Sequence, residues 1–320
     1  MSVGAGPAAY RDVQTVLVVG AGAIGTSWTA HLLGHGLGVV LVDPRQEALD
    51  RARDLAATFL EEQGTARSDA SERLTTSTDV DGSAAGIDLV VEAGPEVLDT
   101  KRDVFARLDA LTGPDVLLTS SSSGLPPSSF ADAASRHPER VLVAHPFNPP
   151  HLVPLVELVG APTTAEAALQ AAHGFFTGIG KKCITVRAEL PGHVVNRLQA
   201  ALWREAYDLV GRGVVSVADI DTAIAWGPGL RWALLGPFAT QHLSGGAGGI
   251  GHILEHLGPP TAEWWKDLGD PSLTPVLCEA IVSGMVEEMD TTGQDEEELR
   301  ARRDGALRAL IEAKKEAGLP

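Results

Sequence analysis

VLVVGAGAIGTSWTAHLLGHGLGVVLVD, from Val16 to Asp43, is the stretch whose reading decides the fold. Val16–Val19 is a short apolar run rich in β-branched residues, the pattern of a strand buried on both faces. Ile24 to His35 has helical spacing, with Ile24, Trp28 and Leu32 on one face. Val39–Val42 is a second buried strand. The junction between the first strand and the helix reads Gly-x-Gly-x-x-Gly. Gly20 permits the tight turn, Gly22 lets a pyrophosphate approach the backbone, and Gly25 lets helix and strand pack closely. The helix start then offers free N–H groups to the phosphates. Asp43 follows Gly25 by 18 residues, near the spacing of about 20 at which an acid accepts hydrogen bonds from the adenosine ribose. Its charge repels a 2′-phosphate and so favours NAD over NADP. Gly20, Gly22, Ala23, Ile24, Gly25 and Asp43 are the expected NAD contacts.

The same stretch could be mistaken for a membrane span. Residues 13 to 42 hold no formal charge and are long enough to cross a bilayer. Six glycines and two histidines interrupt them, and they divide into strand, turn, helix and strand. A buried βαβ unit is the better reading.

The alternation continues outward. Arg45 to Gln63 reads as a helix, Leu89–Val91 as a strand, Glu96 to Leu111 as a helix. Val116–Leu118, Val141–Val143 and Leu155–Val159 are further strands, before a helix at Ala165–Phe176 and a strand at Cys183–Val186. This predicts an α/β fold, a Rossmann-type doubly wound, mostly parallel sheet. Glu189-Leu190-Pro191-Gly192 marks a domain boundary. Beyond it only helical runs are expected: His193–Val210, Val217–Trp226, Phe238–Leu243, Val276–Met289 and Glu296–Ala317. The expected organisation is a flexible tail over 1–12, an NAD-binding domain over 13–188 and an all-helical substrate and dimerisation domain over 189–320.

Composition narrows the partners. The 320 residues carry 25 Lys+Arg against 42 Asp+Glu, a net charge of −17. Such a balance argues against nucleic acid, whose binders neutralise phosphates with basic residues. It argues equally against an anionic membrane surface. The two cysteines, Cys183 and Cys278, are far apart, so a cysteine zinc site or a disulfide scaffold is not expected and a reducing cytoplasm fits. No His/Asp/Glu grouping has metal-ligand spacing.

Two segments carry chemistry. Ser120-Ser121-Ser122-Ser123-Gly124 follows a strand. In HPFNPPHLVPLVE, His145 ends a strand, a Pro-rich turn follows, and Glu157 lies in the next apolar strand. A carboxylate within LVELV is costly to bury unpaired. A histidine partner resolves that cost, and the carboxylate in turn fixes the imidazole tautomer and raises its basicity. A later helix begins Val194-Val195-Asn196-Arg197-Leu198, with an amide in its first turn. His31, His35, His137, His151, His173, His242, His252 and His256 are read as non-catalytic.

Taken in order and spacing, the serine-rich loop, HPFNPPHLVPLVE and VVNRL resemble the 3-hydroxyacyl-CoA dehydrogenase superfamily, over roughly residues 14 to 290. WGPGLRWALLGPF and SGGAGGIGH are similar to its L-carnitine dehydrogenase branch. SSSSGL and HPFNPPHLVPLVEL also resemble L-gulonate 3-dehydrogenase and lambda-crystallin. The resemblance implies catalysis by His145 and Glu157, with Ser123 and Asn196 contacting the substrate oxygen. It implies further cofactor contacts from Glu96, Lys101 and Asn148, and a homodimer formed through the helical domain. The implied reaction is hydride transfer between C3 of a small 3-hydroxy acid and the nicotinamide.

CoA-using relatives clamp their substrate with a basic helical hairpin after the second strand. Residues 44 to 91 here contain no lysine, so a small free acid fits better than a CoA thioester. Arg231, in the Gly-Pro-Gly-Leu-Arg-Trp turn, offers a planar fork to a substrate carboxylate; a helix-cap or interface ion pair is its alternative. Five of the six tryptophans lie in the helical part, where they suit a quaternary ammonium or a core or dimer interface. Two rival functions are a thioester dehydrogenase, acting on CoA or a carrier protein, and a non-catalytic NAD-binding protein of the crystallin kind.

Overall fold

A computed structural model describes residues 13–65, 69–293 and 295–320; the tail expected over 1–12 lies outside the described residues. Eight strands form one sheet: β1 (Thr15–Val19), β2 (Gly38–Val42), β3 (Leu74–Ser77), β4 (Leu89–Glu92), β5 (Leu117–Ser120), β6 (Val141–Pro146), β7 (Leu155–Gly160) and β8 (Lys182–Val186). Their order is β3-β2-β1-β4-β5-β6-β7-β8. Neighbours run parallel except at β6–β7, which are antiparallel. The order reverses between β1 and β4, and the crevice outside the carboxyl ends there is where such sheets bind ligands.

Both faces of the sheet are covered, which is why its central strands are apolar throughout. Val16 and Val18 face a layer containing Trp28 and Leu32 of α1 (Ala23–Gly34), Leu49 of α2 (Gln46–Glu62) and Phe175 and Phe176 of α4 (Glu166–Gly178). Leu17 faces the opposite layer, with Phe105 and Leu108 of α3 (Leu98–Leu111) and Phe130. Asp88 fixes the start of β1, its carboxylate accepting the amides of Gln14 at 2.8 Å and Thr15 at 2.9 Å. The edge strand β3, LTTS, was not expected. It is partly exposed and has no apolar run to announce it.

The chain divides into two compact units between Arg197 and Leu198, inside α5 (Val195–Gly211). The second is helical: α6 (Val217–Ala225), α7 (Pro228–Leu234), α8 (Pro237–Ser244), α9 (Gly249–His256), α10 (Gly258–Asp267), α11 (Pro275–Thr292) and α12 (Glu296–Glu316). Of these, α7, α9 and α10 were not foreseen, because Gly and Pro fill them. Proline is tolerated in a helix's first turn, where its missing N–H has no partner to lose, and it stands there in α7, α8, α10 and α11. Ser216 closes a capping box with Asp219, and Asp295 caps the acidic start of α12. Among the described residues from 198 onward, Leu277 is the one buried apolar side chain, while Trp226, Phe238 and Val276 are each at least three-quarters exposed.

Candidate active site

The loops after β1, β2, β4 and β5 gather at one end of the sheet. In the first of them, Gly20 adopts φ +106° and a Cβ there would lie 2.6 Å from the Ala93 carbonyl oxygen. A Cβ on Gly25 would lie 1.8 Å from the Gly20 carbonyl oxygen, so both positions require glycine. At Gly22, the N-cap of α1, a Cβ would meet nothing within 4 Å. That opening above a helix N-terminus is the space a dinucleotide pyrophosphate needs, so these residues fit NAD. Asp43 stands beside it at 6 % exposure. Its carboxylate accepts the amides of Ala21 and Arg45, both at 3.0 Å, and Arg45 Nε at 3.3 Å. Burial opposes its charge, but these hydrogen bonds outweigh burial and hold its pKa below the usual carboxylate value.

An acidic framework supports the serine loop. The Lys101 ammonium is 1 % exposed and lies 3.1 Å and 2.9 Å from the two oxygens of Glu92, itself buried at the end of β4. Ser120 Oγ donates to the same carboxylate at 2.5 Å. Glu96, 3.4 Å from Lys101, accepts Ser122 Oγ at 2.6 Å and the amides of Gly124 and Leu125 at 2.8 and 3.0 Å. Burial would raise the Glu96 pKa; these donors and Lys101 lower it on balance. Trp28 Nε1 donates to Ser121 Oγ at 3.2 Å. The framework thus engages Ser120, Ser121 and Ser122, and Ser123 alone of the four is exposed. The Ser123 carbonyl accepts Asn196 Nδ2 at 3.2 Å.

His145 and Glu157 face each other across the antiparallel β6–β7 ladder as direct register partners. Residues so opposed put their side chains on one face in contact. His145 Nδ1 and Glu157 Oε2 are 2.8 Å apart, with His145 5 % and Glu157 0 % exposed. The other Glu157 oxygen accepts the amides of Val194 and Val195 at 3.0 and 3.1 Å, in the turn that opens α5. Burial pushes the Glu157 pKa up, yet His145 and the two amides overcome it and keep the carboxyl below its ordinary value. An ionised Glu157 is acceptor-only, so Nδ1 of a neutral His145 carries the proton and Nε2 the lone pair. Such a pair can take a proton from an alcohol and return it to a carbonyl.

His193 was not singled out from sequence. It is 0 % exposed, its Nε2 lies 3.1 Å from the Ser122 carbonyl oxygen, and its ring centroid is 5.2 Å from that of His145. The only local signal for it was Pro-Gly before an apolar helix. Asn148 is exposed in the Pro-rich turn, next to a cis bond to Pro149. Arg231 belongs to the second unit, where it lines a surface cavity of about 280 Å³ with Leu234, Leu243 and Ser244.

Known proteins match this chain nearly end to end. The model of the 3-hydroxyacyl-CoA dehydrogenase NAD-binding domain matches residues 15–189, and that of its C-terminal domain residues 192–274. The L-carnitine dehydrogenase of Streptomyces griseus is 43 % identical over 97 % of this chain and 92 % of its own. That of Streptomyces coelicolor is 44 % identical over 95 % of each. Among solved structures, 5-formyl-3-hydroxy-2-methylpyridine 4-carboxylic acid 5-dehydrogenase, described as an NAD+-dependent dismutase, superimposes with a TM-score of 0.79. It is 29 % identical and the match covers 95 % of this chain and 99 % of that one. This chain belongs to the 3-hydroxyacyl-CoA dehydrogenase family.

Proposed function

We propose that this protein, an NAD-dependent 3-hydroxy acid dehydrogenase, oxidises L-carnitine or a close small free-acid analogue at its 3-hydroxyl. The buried His145–Glu157 pair, in the same unit as the glycine-lined opening at Gly22, carries the reading. The names of the relatives and the absence of lysine between residues 44 and 91 favour a free acid over a CoA thioester.

Gly20, Gly22, Ala23, Ile24, Gly25 and Asp43 would hold NAD, with Glu96, Lys101 and Asn148 as further contacts, and the bound cofactor would supply the hydride acceptor. His145 Nε2 takes the hydroxyl proton. Ionised Glu157 stabilises the imidazolium that results. Ser123 and the Asn196 amide donate to the substrate oxygen. In the reverse direction the imidazolium returns the proton. A homodimer through the helical unit is part of the proposal, since an apolar surface on that scale calls for a partner. So is a cytoplasmic setting, where the free thiols of Cys183 and Cys278 stay reduced.

The test is NADH formation with L-carnitine, L-gulonate, 3-hydroxybutyrate and 3-hydroxybutyryl-CoA. L-carnitine is expected to give the highest kcat/KM, and His145→Gln to lower kcat by about 10³-fold, the scale of a lost general base. Preference for the thioester, or full turnover in the Gln variant, overturns the reading.

A further inference from the structure

His193 combines three features that a packing residue does not need. Its backbone has φ +51°, the one non-glycine residue with positive φ among those described. Its ring is fully buried, and Nδ1 has no hydrogen-bond partner while Nε2 meets the Ser122 carbonyl at 3.1 Å. It stands between the serine loop and the His145–Glu157 pair. A left-handed conformation strains a non-glycine residue and persists where the surroundings enforce it, commonly at functional sites.

The backbone gain is visible. Gly192 (φ +74°) and His193 (φ +51°) turn the chain so that the next two amides, of Val194 and Val195, both reach Glu157 Oε1. Successive amides in such a turn make an anion cradle. The side chain fixes the other end, since a carbonyl accepts only from a protonated Nε2. That leaves Nδ1 bare in the neutral ring. A second proton would create a buried N–H without an acceptor, beside His145. Burial first, and His145 next, lower the His193 pKa; the Ser122 carbonyl and the carboxylates of Glu157 on β7 and Glu96 before α3 oppose this in part.

We propose that His193 is a positioning residue of the proton-handling site: as a neutral imidazole it ties the serine loop to the turn that holds Glu157, and its protonation stops turnover. The inference rests on the proposed His145–Glu157 chemistry, and one arm of its test needs no turnover.

That arm is ¹⁵N NMR of the histidine side chains across acid and neutral pH. His193 is expected as the Nε2–H tautomer, still neutral at a pH where an ordinary imidazole is protonated. An Nδ1–H tautomer, or protonation of His193 at or above the ordinary histidine range, overturns the inference even if L-carnitine is never oxidised. The kinetic arm uses L-carnitine with NAD. If both imidazoles must be neutral, the acid limb of log kcat falls with a slope of two. His193→Gln keeps a donor near the Nε2 position but cannot titrate, so its slope becomes one and it loses less kcat than a variant without the donor. His193→Phe keeps the ring without the donor, so its slope is also one and kcat drops about five- to tenfold, the scale of one hydrogen bond. Wild-type slope in the Gln variant, or equal kcat in the Gln and Phe variants, overturns the proposal. Should the Phe variant not fold, the Gln slope and the NMR titration still decide.

Discussion

Lys181 supports the Pro-rich turn after His145 from beneath. Its ammonium, 3 % exposed, donates to the carbonyls of Pro150 and Val153 and lies 5.0 Å from the Trp28 ring centroid. Ser27 pins the same turn to α1, its hydroxyl 2.7 Å from His151 Nδ1. Burial pulls the Lys181 pKa from 10.5 down to about 7. Between those values the unfolded chain binds the extra proton, so stability rises with pH, by at most about 1.4 kcal/mol per unit. His31, lowered mainly by burial, acts in the same direction at the acid end. In urea unfolding, the stability of the wild type relative to Lys181→Met should therefore increase from pH 7 to about pH 9. A flat difference across that range refutes the argument. Nothing in the sequence marks Lys181, because its burial depends on which carbonyls the fold turns toward it. His145 and Glu157 were legible since a carboxylate inside LVELV requires a partner wherever it folds.

At the scale of elements, the glycine loop separates two kinds of constraint. Gly25→Ala places a methyl 1.8 Å from a backbone oxygen, and should cost about 1–3 kcal/mol of stability, the usual penalty of overpacking. Gly22→Ala meets no protein atom. It should melt like the wild type yet show a several-fold higher KM for NAD. If both variants bind NAD normally, the cradle has been misassigned. The βαβ unit was readable because strands covered on both faces stay apolar at every position, as Val16, Leu17 and Val18 do. β3 has only partial cover and therefore no such run. The helices α7, α9 and α10 escaped because Gly and Pro, which usually break helices, stand in their first turns. The left-handed backbone at His193 is set by what Glu157 and Ser122 accept, so its local sequence does not encode it.

For the whole molecule, charge and apolar surface pull in opposite directions. Two copies, each at −17, repel; the exposed Trp226, Phe238, Trp264 and Trp265 of the helical unit favour covering one another. Salt screens the first effect and strengthens the second. Sedimentation equilibrium should find a dimer whose dissociation constant falls as sulfate is raised, and a monomer at every salt concentration removes the proposed interface. The β6–β7 ladder has a consequence for how such a chain can diverge. Strand register, not the length of the turn over residues 147–154, brings His145 opposite Glu157. Insertions in that turn leave the pair untouched. Loss of a single residue just after Glu157 is different: with the acid held opposite His145, every later side chain of β7 changes face, and Leu158 and Val159, which serve opposite apolar layers, lose their places. Descendants can thus remodel the turn while the dyad survives, but cannot shorten the strand beyond the acid by one.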